Sequence, residues 1–229
     1  VARFAEPTSD PGSGAVVTAR LCWDRATLWG AFEVVDARVH LAPAGVSGPE
    51  LFQWDSVEIY LDGLGDRAPR MGSDDFQVIV TADGRTAVLE GDPLLAELEP
   101  MSVPKRERAG VAVAAAARRT PSGYVVEVAL PWATFGLEPG AGARLAVDLA
   151  VNDWDAGHSP LPMLGYHLAT LHALADKPPG DPGEYDSHGL TGAAADRFAA
   201  AHYHPWSWSG GSDFGYPESW LPVVLVGSP

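Results

Sequence analysis

The chain is poor in cysteine, in cations and in long apolar runs. One cysteine, Cys22, in 229 residues excludes an intramolecular disulfide and any zinc site built on several thiolates. It leaves the redox compartment open, because a domain of this size needs no covalent staple. Fifteen Lys and Arg stand against 30 Asp and Glu, a formal net charge of −15. Such a surface repels phosphate backbones and anionic lipid headgroups, so nucleic acid and membranes are not expected partners, whereas neutral small molecules or cations are. No apolar run approaches the roughly 18 residues that a membrane-spanning helix requires. Also missing are a nucleophile elbow, a phosphate-binding glycine loop, a GxGxxG turn and a His-Glu-x-x-His helix. The residues from Val1 onward carry no charged segment followed by an apolar one, so a signal peptide is expected to have been removed or never present. The expected compartment is secreted or periplasmic.

With 46% hydrophobic and 20% charged residues the chain can bury a real core. Its eight tryptophans are roughly three times ordinary usage. Period-2 runs rich in Val, Ile, Tyr and Phe, punctuated by Gly, Pro and Asp, predict strands over 16–23, 28–35, 56–62, 76–81, 86–90, 111–118, 123–130, 144–151 and 221–226. Turn signals at Trp23-Asp24-Arg25, Asp83-Gly84 and Pro121-Ser122-Gly123 separate neighbouring strands as hairpins do. The expected fold is all-β, an antiparallel β-sandwich in a single domain over 1–229. Residues 94–108 read as a surface loop, and 156–216 as a long insertion before the last strand, with helices over 166–176 and 191–201. Leu168, Leu171 and Leu174 form one helical stripe, so the insertion is expected to fold back over the sandwich near Trp54 and Trp154, with His172 at its rim.

Three segments together resemble the family 9 carbohydrate-binding modules and their wider sandwich superfamily. Trp54-Asp55-Ser56-Val57-Glu58-Ile59-Tyr60-Leu61-Asp62 is similar to that family's Asp-Ser-Val-Glu strand. The run from Gly123-Tyr124 through Glu127 to Leu130-Pro131-Trp132 is similar to its Gly-Tyr-x-x-Glu strand, and Val151-Asn152-Asp153 to its Val-Asn-Asp strand end. The segments from Ala19 to Asp36 and from Tyr216 to Trp220 add to the match. The resemblance implies a sandwich that binds sugars between aromatic platforms flanked by polar side chains, sometimes with structural calcium.

That chemistry is reasonable on its own terms, since a pyranose offers C–H groups on its face and hydroxyls round its edge. Strand alternation places Phe52, Trp54, Ser56 and Glu58 on one face if the strand is regular that far, and aligns Asp148, Ala150, Asn152 and Trp154. Phe52, Trp54, Glu58, Gln77, Asn152 and Trp154 are therefore the candidate ligand contacts. Trp23, Trp29 and Trp132 sit in hydrophobic runs and are expected in the core, and Glu127 is expected as a sheet residue. Asp55, Asp62, Asp153 and Asp155 offer the hard oxygen ligands that calcium takes.

The rival reading uses a cluster of histidines, His167, His172, His188, His202 and His204, interleaved with Tyr and Trp. His202-x-His204 with one or two of the others would suit zinc, copper or iron and make a metal-dependent enzyme or redox protein. In a haem variant, as in the DOMON-type members of the superfamily, Met71, Met163 and His167 would be the ligands.

Overall fold

The computed structural model describes residues 16–98, 105–111, 113–153, 206–208, 217 and 220–226. Its strands are β1 (Val16–Trp23), β2 (Thr27–Val35), β3 (Ser56–Asp62), β4 (Asp75–Thr81), β5 (Thr86–Gly91), β6 (Lys105–Glu107), β7 (Ala114–Thr120), β8 (Gly123–Pro131), β9 (Arg144–Asn152), β10 (Trp206–Trp208) and β11 (Leu221–Val224). One short helix, α1 (Pro93–Leu98), and 3-10 turns at Gly48–Gln53 and Trp132–Phe135 complete the described elements.

The strands make two antiparallel sheets. The smaller has the order β1-β2-β8-β7; the larger has β10-β9-β3-β4-β5-β6, with β11 also pairing with β9. Period-2 side-chain alternation explains how they meet. Phe32, Val34, Val126, Val128 and Leu130 of the smaller sheet pack against Val57, Ile59, Leu61, Val147, Leu149 and Val151 of the larger, in one continuous core. At Gly30 the sheets approach so closely that an added Cβ would lie 3.0 Å from the Ile59 side chain. Asp24 closes the first hairpin by accepting from the amides of Ala26 and Thr27 at 2.7 and 2.8 Å, and Gly84 supplies the positive φ of 87° in the β4–β5 turn.

Several expectations need correction. The 94–108 loop contains structure on both sides of the undescribed residues 99–104. Asp92 caps α1 through the Leu94 amide at 3.0 Å, with Pro93 at its first position, and β6 pairs with β5. The strand expected over 111–118 runs instead from Ala114 to Thr120. Trp132 is buried as expected and Trp23 packs partly against the core, but Trp29 is 44% exposed. The alternation of β2 turns Leu28, Phe32 and Val34 inward and therefore Trp29 outward, where its indole N–H donates to Asp24 at 3.1 Å. Glu127 faces solvent on the same outer surface. Of the expected insertion over 156–216, β10 is the part described, and it extends the larger sheet; both expected helices lie outside the described residues.

Candidate functional site

The outer face of the larger sheet is unusual because it is buried and polar. Every residue of β3 and β4 is buried, so the polar half of their alternation is shielded from water and must find partners within the protein. Glu58, 3% exposed, is the hub. Its Oε2 accepts from the Tyr60 hydroxyl and from Gln77 Nε2 at 2.8 Å, and its Oε1 accepts from Asn152 Nδ2 at 2.7 Å. Asn152 Nδ2 also donates to Ser56 Oγ at 2.9 Å, and Lys105 Nζ donates to Gln77 Oε1 at 2.5 Å. Register makes this possible: Tyr60 lies opposite Gln77 and Ser56 opposite Asn152, so Glu58 has both amides as diagonal neighbours on adjacent strands. Trp220, fully buried, stands over Tyr60 with ring centroids 5.5 Å apart.

An apolar patch adjoins this network. Ile79, directly opposite Glu58, packs with Ala42, Leu51, Ala87 and Leu89, and the half-buried Val46, Phe52 and Trp54 lie against them. The expected strand geometry of Phe52 and Trp54 is corrected here. Residues 48–53 form a 3-10 turn with Pro49 in its first turn, and the strand begins only at Ser56. The turn nevertheless delivers both aromatics to the same outer face, through burial against Ile79 and its neighbours rather than through alternation.

The structure thus brings Glu58, Gln77 and Asn152 into one hydrogen-bonded set, beside the patch that holds Phe52 and Trp54. Trp154 lies outside the described residues, as do His167, His172, His188, His202, His204 and Met163; Met71 is a buried core residue. The backbone ladder sets Trp206 opposite Asn152 and Trp208 opposite Ala150. Sequence reasoning missed Lys105 and Tyr60. Lys105 belongs to a charged three-residue strand too short to show a period, and Tyr60 read as one more apolar strand residue. Chemically, the site offers a carboxylate, two amides and an ammonium beside half-buried aromatic surface, a combination suited to an uncharged ligand rich in hydroxyls.

Two groups of carboxylates flank the site at opposite ends of β3. Asp36, Asp55 and Asp153, all buried, place oxygens within 4.8 Å of one another. Asp36 follows β2 and Asp55 and Asp153 adjoin β3 and β9, so the group joins the two sheets. Asp36 Oδ1 accepts from the Arg38 amide at 2.7 Å, and its buried Oδ2 has no hydrogen-bond partner among the described residues. Asp55 Oδ2 accepts from the His40 amide at 2.7 Å. Burial, and then the charges of Asp55, Asp153 and Asp36, push the Tyr124 phenol well above its ordinary value. The second group is Asp62, Asp66 and Asp74. Asp62 accepts from the amides of Gly65 and Arg67 at 2.6 and 2.8 Å. Asp75, opposite Asp62 in the ladder, is pushed up to about 8, chiefly by burial and further by Asp74, Asp62 and Asp66, despite the Gly72 amide. Of the carboxylates expected as calcium ligands, Asp55 and Asp153 meet in one group with Asp36, Asp62 stands in the other group at the far end of β3, and Asp155 lies outside the described residues.

Comparison with known proteins yields a consistent set of likenesses. A family model described as carbohydrate family 9 binding domain-like matches residues 2–170. Exoglucanase XynX of Acetivibrio thermocellus is 29% identical over 142 residues, which cover 62% of this chain and 11% of that protein. Endo-1,4-beta-xylanase A of Thermoanaerobacterium saccharolyticum is 27% identical over 143 residues, covering 62% and 10%. The chain thus spans about a tenth of the length of these relatives. Among solved structures, a family 9 carbohydrate binding module from Caldicellulosiruptor kristjanssonii aligns in its complexes with cellotriose (TM-score 0.58, 17% identity) and glucose (0.59, 18%). These alignments cover 100% of this chain and 84% and 86% of those chains, a likeness of fold.

Proposed function

The chain belongs to the carbohydrate family 9 binding domain-like family, and from that premise we propose that it binds a neutral carbohydrate on the outer face of its larger sheet. The observation that carries this is the Glu58, Gln77 and Asn152 set, buried beside the patch of Phe52 and Trp54. Both N–H groups of Asn152 are engaged by Ser56 and Glu58, which leaves its carbonyl oxygen to accept from a sugar hydroxyl. Gln77 donates one N–H to Glu58 and keeps its second for the ligand. Glu58 spends three of about four acceptor positions on Tyr60, Gln77 and Asn152 and keeps one. Phe52 or Trp54 provides the flat surface for the C–H face of a pyranose, and Trp154 is the proposed second platform. Nothing in this reading makes or breaks a covalent bond. Because the curated relatives are a glucanase and a xylanase many times longer, the chain is proposed to hold polysaccharide for a larger enzyme outside the cytoplasm, raising local substrate concentration. Titration with glucose, cellotriose and xylo-oligosaccharides, followed by tryptophan fluorescence and calorimetry, tests it. Absence of any response across the panel refutes it and leaves family membership as a statement about fold.

A calcium ion held by Asp36, Asp55 and Asp153 is the second part of the proposal. Three buried carboxylates with oxygens within 4.8 Å of one another, the Asp36 Oδ2 having no donor among the described residues, fit a hard divalent cation better than they fit each other. Bound there, calcium would offset most of the cluster's negative charge and tie the two sheets together.

A further inference from the structure

Residues 36–54 cross the outer face of the larger sheet without a strand of their own, yet they carry the aromatic patch. Their carbonyl groups therefore lack ladder partners, and one side chain supplies several of them. Arg85, the residue before β5, donates Nη1 to Pro43 O at 3.0 Å and to Val46 O at 3.2 Å, and Nη2 to Ala42 O. Its Nε is held by Asp83 at 3.1 Å, and Asp83 is in turn held by the hydroxyl of the fully buried Thr81. The same hairpin turn donates the Ala82 amide to Asp55 O at 2.8 Å, so it grips the crossing segment on both sides of the 3-10 turn. Ala42, one of the three carbonyls' residues, belongs with Leu51, Ile79, Ala87 and Leu89 to the cluster against which Phe52 and Trp54 pack.

We propose that Arg85 is a positioning residue for the carbohydrate site: its guanidinium fork fixes the 42–46 bend and thereby seats the turn bearing Phe52 and Trp54 against Ile79 and Leu89. The inference rests on the carbohydrate reading above, but its geometric half does not. A planar fork anchored by Asp83 reaches three carbonyls at once; an ammonium has the charge but not the span. Arg85 acts through the platform and touches no sugar.

The test compares Arg85→Lys and Arg85→Met with the unmodified protein by amide hydrogen exchange and by calorimetric titration with cellotriose. Both variants are expected to lose protection by about tenfold or more at Val46, whose amide bonds Pro43 O, and at Trp54, whose amide bonds Leu51 O, while β3 and β9 stay protected. Both are expected to bind cellotriose at least about tenfold more weakly. Rescue by lysine would overturn the fork, leaving charge alone. Unchanged exchange over 42–54 would overturn the clamp. Loosened exchange with unchanged affinity would overturn the link to the site. If the unmodified protein binds no sugar at all, that failure belongs to the carbohydrate reading, and the exchange comparison still decides whether Arg85 pins the segment.

Discussion

Replacing Asp75 by asparagine is expected to stabilise the protein at neutral pH, an uncommon outcome for a buried polar residue. Asp75 is fully buried opposite Asp62, its Oδ2 accepts from the Gly72 amide at 2.7 Å, and its buried Oδ1 has no partner among the described residues. Burial and the neighbouring negative charges push its carboxyl from 3.8 up to about 8. Between those two values the folded chain holds a proton that the unfolded chain releases, so stability falls as pH rises. At about 1.4 kcal/mol per pH unit, the interval from 3.8 to 7 corresponds to roughly 4 kcal/mol as an upper bound. Asparagine keeps the acceptor for Gly72 and turns an N–H toward the acidic group, and it has no proton to lose. Urea unfolding of both proteins at pH 4 and pH 7 in a calcium chelator measures the difference. A gain near zero at pH 4 that grows to a few kcal/mol at pH 7 is expected. An asparagine variant less stable than its parent at pH 7 would refute the reasoning.

Other outcomes follow from the same geometry. Glu58→Gln sets an N–H against either Asn152 or the Tyr60 and Gln77 donors; calorimetric affinity for the bound sugar is expected to fall about tenfold to a hundredfold, and unchanged affinity would remove Glu58 from the site. Trp54→Ala and Phe52→Ala are each expected to shift unfolding modestly, since both side chains are half-buried, but only the platform residue should weaken sugar binding by about 1.5–3 kcal/mol. Chelation is expected to lower the melting temperature by several degrees, reversed by calcium and absent in Asp36→Asn; a thermogram indifferent to calcium would dispose of the cation proposal.

Parity along the strands made most of this legible in the sequence. Val57, Ile59 and Leu61 alternate with Ser56, Glu58 and Tyr60, so the strand and its two faces could be read directly, and Asn152 follows from the same count on β9. Parity would also have placed Trp29 outside, because Leu28, Phe32 and Val34 claim the inner face; its hydrophobic surroundings were the weaker guide. Contacts between residues far apart in sequence left no such trace. Lys105 reaches Gln77 only because β6 docks on β5, and Asp36 meets Asp55 and Asp153 only because the two sheets close at that end. The 3-10 turn at 48–53 interrupts the period just where it was extrapolated to Phe52.

The arrangement of β3 and β9 explains why a sugar site and an ion cluster would share one end of the sandwich. Trp54, Asp55 and Ser56 are consecutive, as are Asn152 and Asp153, and successive residues of extended chain face opposite ways. Ser56 and Asn152 join each other and Glu58 on the outer face; Asp55 and Asp153 turn toward Tyr124 and Asp36 between the sheets. Repulsion among the inner carboxylates therefore pushes on the same backbone that sets the spacing of the outer amides. Relieving that repulsion with a bound cation would firm the strand ends from inside, while the Arg85 clamp holds the crossing segment from outside. Were a sugar and a cation to occupy the two faces as proposed, each would strengthen the binding of the other by the same factor.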